Sequence, residues 1–284
     1  MFDTIAGLPL HPLVVHATEV IVPVTAIVVT VAALWPRFRR RAGYLPLALA
    51  LASLVLVPLS TQSGEALQER VGESSLIETH SNLAEGLLAL YQATFDERWF
   101  VAARDLMDVV LTHFADPAGG FFDTADDHEA LIARPKSLQD NAMPSGGAMT
   151  ATVLLKLAAL TGEARYSDAA TGAISGVVPF AHRYPTAFAE WLNAITFSVA
   201  DPVEIAISGD RDASDTQALL DVVRSAYRPF AVVAVGMSEG TTIQLLQDRP
   251  QRDGRAAAYV CRHFACSAPV VEPDDLATQL ASGS

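Results

Sequence analysis

The chain has 284 residues, with 32 acidic side chains against 19 Lys and Arg, a formal net charge of −13 and about half its residues hydrophobic. An acid excess of that size repels phosphate backbones and argues against nucleic acid as a partner, while two cysteines are too few for a disulfide framework. The charge is also uneven: residues 1–80 hold six acids and five Arg, so they carry about −1 of the total and the remainder carries about −12.

Residues 14–35 contain Glu19 and His16 but otherwise read Val, Ile, Ala, Leu, Thr and Pro, ending at Trp35. As a helix they reach roughly 33 Å, against a hydrocarbon core of about 30 Å. A second uncharged run covers residues 42–64, with Pro46 and Pro58 as points of bending or fraying. Between the runs lies Arg37-Phe-Arg-Arg-Arg41, flanked by Trp35 and Tyr44, a basic loop that the positive-inside rule places in the cytoplasm. The reading is a two-span transmembrane hairpin in the cell membrane, with lipid bilayer as partner and everything after residue 80 extracytoplasmic. The alternative is two buried helices of a soluble core.

From Asn82 to Phe114 the apolar periodicity predicts two helices joined by Thr94-Phe-Asp-Glu-Arg98. The pattern returns 67 positions on, where Leu154-Leu155, Leu157, Thr161, Arg165-Tyr166 and Ala169-Ala170 answer Leu87-Leu88, Leu90, Thr94, Arg98-Trp99 and Ala102-Ala103. A repeated αα hairpin buries its apolar face on its neighbour, which predicts a solenoid or a closed α/α toroid. A third pair is partly present over residues 186–199. Then the texture changes: residues 203–207 read as a strand, 214–227 as a helix and 230–235 as a second strand, a small βαβ-like appendage.

Leu8-Pro-Leu-His-Pro-Leu-Val-Val-His16, Thr61-Gln-Ser-Gly-Glu-Ala66 and Glu78-Thr-His80 resemble the membrane family called domain of unknown function 2231, over about residues 1–80. That family usually has four spans, and this sequence shows the first two. The second resemblance is to the C-terminal part of the spermatogenesis-associated, thioredoxin-domain (YyaL-like) family. It rests on Glu85-Gly-Leu-Leu-Ala-Leu90, Gly119-Gly-Phe-Phe-Asp123, Arg134-Pro-Lys136, Asp140-Asn-Ala-Met-Pro-Ser-Gly146 and Ala258-Tyr-Val-Cys-Arg262. It implies part of a six-hairpin α/α toroid similar to those of glycosidases and sugar epimerases. The two resemblances meet between His80 and Glu85, so the chain reads as a fusion of two partial domains.

His11 and His16 at the start of the first span, with His80 beyond the second, offer metal or haem ligation or proton handling; the plainer reading is interfacial His bonded to water and headgroups. Residues 134–147 form the densest polar segment. Arg134, Lys136, Asp140, Asn141 and Ser145 ahead of a helix beginning near Ala148 predict either a sugar or sugar-phosphate site at the toroid mouth or a structural cap. Glycoside hydrolysis would need two flanking carboxylates. Asp123, Asp126, Asp127, Glu129, Asp140 and Glu190 are available, but no spacing selects a pair and no catalytic residue is assigned. Cys261 and Cys266 with His263 offer three metal ligands, a disulfide, or two ordinary thiols, the last being the plainest; no CxxC is present.

The expected architecture is therefore mainly α: a two-span membrane domain over residues 1–80, a partial α/α toroid over 81–200, and an α/β appendage with a tail over 201–284. The expected function is a membrane-anchored protein with a carbohydrate-enzyme-like toroid and no independent catalysis, with no cofactor assigned. The open end hairpins imply homo-oligomer formation through their exposed faces. The competing readings are a sugar hydrolase or epimerase completed by oligomerisation, and a haem- or metal-binding membrane module.

Overall fold

A computed structural model describes residues 4–5, 8–71, 76–127 and 134–282; side chains before Thr18, those of Glu19 and Pro36, those of residues 59–71 and that of Ser282 lie outside the description. The chain divides into two units, Met1–Ser74 and Ser75–Ser284.

In the first unit, β1 (Thr4–Ile5) pairs antiparallel with β2 (Leu8–Pro9). Helix α1 (Leu10–Leu34) is followed by the short basic α2 (Pro36–Ala42) and then α3 (Leu45–Val71). Pro36 opens α2, where a missing N–H costs nothing, and Gly43 ends it at φ 57°. Helices α1 and α3 pack on each other, and small side chains line their contact. Ala32 and Thr25 are buried, and the Thr25 hydroxyl donates to the Ile21 carbonyl at 2.7 Å while lying 3.0 Å from Ser53 Oγ. The large apolar side chains point outward, Val20, Ile27, Leu34, Leu51 and Leu54 among them.

The expected two-span transmembrane hairpin is corrected here. Among the described residues no helix is long and apolar enough to cross a membrane. Helix α1 carries Glu19 and Pro23 within its length, and α3 continues into Gln62, Glu65, Gln68, Glu69 and Arg70.

The second unit opens with two helical hairpins. Helix α4 (Leu76–Thr94) turns into α5 (Glu97–His113), and after a long loop α6 (Gly146–Thr161) turns into α7 (Ala164–Arg183). The hairpin turns match atom for atom. Thr94 Oγ1 donates to the Leu90 carbonyl and accepts from the Asp96 amide, as Thr161 Oγ1 does with Leu157 and Glu163. Arg98 then lies 4.5 Å over the Trp99 ring and Arg165 lies 4.4 Å over Tyr166. The 67-residue repeat is thus a repeated side-chain lock on the turn. A 3-10 turn at Pro185–Ala187 leads to α8 (Ala189–Val199).

The hairpins stand in two rows. Helix α4 packs on α6 and α6 on α8, while α5 backs α4 and α7 backs α6. Helix α6 is buried on nearly every side, with Ala148, Ala151, Val153, Leu154, Leu157 and Leu160 all at 1% exposure or less. That is why its sequence is apolar all round whereas α5 and α7 carry one apolar stripe each.

The rest forms a four-stranded sheet of order β4-β3-β5-β6. Strand β3 (Val203–Ser208) runs parallel to β4 (Ala231–Gly236) through the crossover helix α9 (Ser214–Arg224). Strand β5 (Ala257–Arg262) pairs antiparallel with β3 and with β6 (Ala265–Cys266), and α10 (Pro273–Ser282) closes the chain. The sheet shares the helices' core: the Val233 amide donates to Gln92 Oε1 and the Leu245 amide to the Leu160 carbonyl.

Candidate functional site

The polar residues singled out from sequence gather on the loop from α5 to α6 and at the N-termini of α6 and α8. A tight reversal at Gly119 and Gly120, φ 101° and 79°, pairs Ala115 with Phe121. Lys136 crosses it, donating to the Gly119 carbonyl at 2.9 Å and pairing with Asp116, whose carboxyl it holds below the usual carboxylate range. Arg134 donates to the carbonyls of His113 at 2.7 Å and Thr124 at 3.1 Å, and its guanidinium lies 4.2 Å over the Phe122 ring. Asp123 is buried and accepts from the Ser137 amide and hydroxyl.

At the mouth of α6, Ser145 is the N-cap and accepts from the Ala148 amide. The Asp140 carboxylate spans two helix starts, one oxygen accepting from the Ser145 amide at 2.8 Å and the other from the Glu190 amide at 2.9 Å. Asn141 is exposed, its amide donating to the Met143 carbonyl. Glu190 accepts from Thr152 Oγ1 at 2.6 Å and from Asn193. The mouth is also tightly filled. A Cβ on Gly146 would meet Ile77 Cγ2 at 2.6 Å and the Glu78 amide at 2.9 Å, and one on Gly147 would meet the Trp191 ring at 3.2 Å. Trp191 itself donates to the Leu138 carbonyl. The Asp-Asn-Ala-Met-Pro-Ser-Gly-Gly run therefore caps two helices and lets α4 approach α6.

Of the three histidines, His11 and His16 fall in α1 of the first unit, their side chains outside the description, and His80 falls in α4 of the second. The His80 Nδ1–H donates to the Leu76 carbonyl at 2.7 Å and the ring lies tilted against Phe114, with centroids 5.4 Å apart. Glu129 lies outside the described residues.

Three arrangements escape sequence reading. Glu78, in the first turn of α4, is held above the usual carboxylate range by burial and by the neighbouring Asp123. The half-buried His113 pairs with the exposed Asp126 at 2.8 Å and Asp127 at 3.8 Å, a trio whose ligand atoms lie within 4.8 Å of one another. The hydrogen bond that the His113 ring donates to Asp126 raises the His113 pKa. The only advance signal for either is the acid count of the loop, because the partners come from separate elements. Third, Cys261 and Cys266 form a disulfide, so the reading as two ordinary thiols is overturned. Their positions opposite each other in β5 and β6 bring the sulfurs together, and spacing alone had left that open.

Residues 7–115 match the family described as a predicted membrane protein, DUF2231. The C-terminal region matches spermatogenesis-associated protein 20: the Homo sapiens protein is 31% identical over 207 residues, covering 70% of this chain and 26% of that protein. The Rattus norvegicus and Mus musculus proteins are each 30% identical over the same coverage. The chain thus spans about a quarter of the length of the curated relatives it matches. The membrane-family match does not stop near residue 80 as expected; it runs through α4 and α5. Together the two matches exceed the chain length, so they overlap rather than meet at a junction.

Proposed function

We propose that residues 75–284 are a partial α/α hairpin array of carbohydrate-enzyme type, working as a binding and assembly unit without catalysis of its own beside a lipid-contacting N-terminal unit. One observation carries this reading: the polar groups at the array's mouth are spent on the fold. Asp140 serves two helix N-termini, Asp123 serves Ser137, and Arg134 and Lys136 serve loop carbonyls. The row of inner helices exposes apolar side chains at both ends, Leu83 and Leu90 on α4 and Leu192 and Val199 on α8. Such faces favour association, and a second copy of the chain supplies a matching one. The outward Leu47, Leu51, Leu54 and Val55 of α3 supply the lipid-contacting surface.

A sugar hydrolase or epimerase completed by oligomerisation is the second reading, favoured by Glu78 and Asp123. Two neighbouring carboxyls in unequal environments are what acid–base chemistry uses. Sedimentation of the purified full chain, with glycan turnover measured on each species, separates the two. The first reading expects an oligomer that dissociates in Leu83→Asp and shows no turnover. Turnover by the oligomer that is lost in Glu78→Gln would establish the second, and a monomer unaffected by Leu83→Asp would remove the assembly role.

A further inference from the structure

The disulfide joins two unlike sulfurs. Cys261 is 1% exposed within β5, whereas Cys266 is exposed at the end of β6. A cavity of about 450 Å³ opens at Cys266, lined by Gln244, Gln247, Arg249, Tyr259 and Phe264. Arg249 is 9% exposed, and its Nε–H donates to Cys266 Sγ at 3.3 Å. Its remaining bonds go to the carbonyls of Gln244 and Gln247, and no carboxylate lies within ion-pair distance of it among the described residues. A nearly buried cation therefore faces a sulfur that is neutral in the disulfide and would be its counter-charge as a thiolate.

The turn between the cysteines keeps them opposed without the S–S bond. His263 and Phe264 both hold positive φ, 48° and 62°, a two-residue hairpin geometry that glycine and asparagine adopt far more readily. Tertiary contacts impose it. The Phe264 amide donates to Glu204 at 2.8 Å, its ring would lie 3.1 Å from a Cβ on Gly162, and His263 pairs with Asp201 at 2.7 Å. Among charged groups, Asp248 lines the same cavity, and Glu204 attracts Arg249 from beyond contact.

We propose that Cys261–Cys266 is a thiol–disulfide exchange site for a low-molecular-weight thiol couple, with Cys266 as the nucleophile, Cys261 as the resolving cysteine and Arg249 as the group that holds Cys266 as a thiolate. In the oxidising direction Cys266 Sγ attacks one sulfur of a small disulfide. The Cys266–substrate S–S bond forms, the substrate's own S–S bond breaks, and one thiolate leaves to take a proton from water. Cys261 gives its proton to water and attacks Cys266 Sγ, which re-forms the protein disulfide and expels the second thiolate. Two electrons and one proton, that of Cys261, pass from the cysteine pair to the small disulfide, because Cys266 enters as a thiolate; one product leaves as thiol and the other as thiolate, and the reverse sequence reduces the protein.

The test equilibrates the purified full chain in glutathione buffers of varied thiol-to-disulfide ratio, alkylates the free thiols and reads the mass shift beside the far-UV dichroism. The expected result is full interconversion with the fold retained and, in Cys261→Ser, glutathione captured on Cys266. The Cys266 thiol in that variant should titrate at least about one unit below the ordinary value near 8.5, and Arg249→Gln should return it toward that value while Arg249→Lys keeps it low. A disulfide that opens only when the chain unfolds would overturn the proposal. So would a Cys266 thiol at its ordinary value, a result that needs no Arg249 variant to fold.

Discussion

The two helix pairs α1/α3 and α4/α6 are built in opposite senses. In the first, small and hydroxyl side chains meet at the contact, Thr25, Ala32 and Ser53, and the leucines face out. In the second, Leu88, Leu154 and Leu157 are buried. The lesson is that apolar content does not say which way a helix faces: α1 and α6 are both apolar all round, yet one is buried by its own unit and the other shows its large side chains to the surroundings.

The sharpest break of that comparison is truncation of a large side chain on each side of it. Trp191→Ala removes a ring 1% exposed under the α6 mouth and should cost about 3–5 kcal/mol, read as lost hydrogen-exchange protection in α6 and α8. Leu54→Ala, at a side chain 71% exposed, should change the protection of α1 and α3 by less than about 0.5 kcal/mol. Equal losses would mean the two pairs are packed alike.

A smaller effect comes from placing a methyl group at two glycines of the second unit. Gly146→Ala meets the α4 backbone at 2.9 Å and should destabilise by about 1–3 kcal/mol. Gly176→Ala, on the open side of α7, meets nothing within 4 Å and should stabilise by about 0.5–1 kcal/mol through helix propensity. Thermal unfolding of the two variants should move in opposite directions, and a shared direction would contradict the close approach of α4 to α6.

The smallest expected effect is electrostatic. The His113 pKa is raised by Asp126, so its contribution to stability is fully present below the ordinary His value near 6.5 and fades as pH rises through the folded value. NMR titration should find His113 above 6.5 in the full chain and lower in Asp126→Asn. An unmoved titration would remove the Asp126 contact.

The repeated hairpins were readable because each turn is local: Thr94 and Thr161 act on residues four back and two ahead. Strands β3 and β4 were readable from β-branched runs. Strand β6, two residues long, has no periodicity to read, and the hydrogen-bond partners of the polar segment around Asp140, the Glu190 amide and the Gly119 carbonyl, were not legible because they lie far off in sequence or across a turn.

Sequence by itself determined the charge division, the hairpin repeat and the change from helix to strand after Ala200, since each follows from composition or from interactions within a few residues. Tertiary structure decided that Asp140 caps two helices, that Glu78 stands beside Asp123, and that Arg249 faces Cys266. Each of those depends on which distant segments meet, and burial then sets how strongly a neighbouring charge or donor is felt.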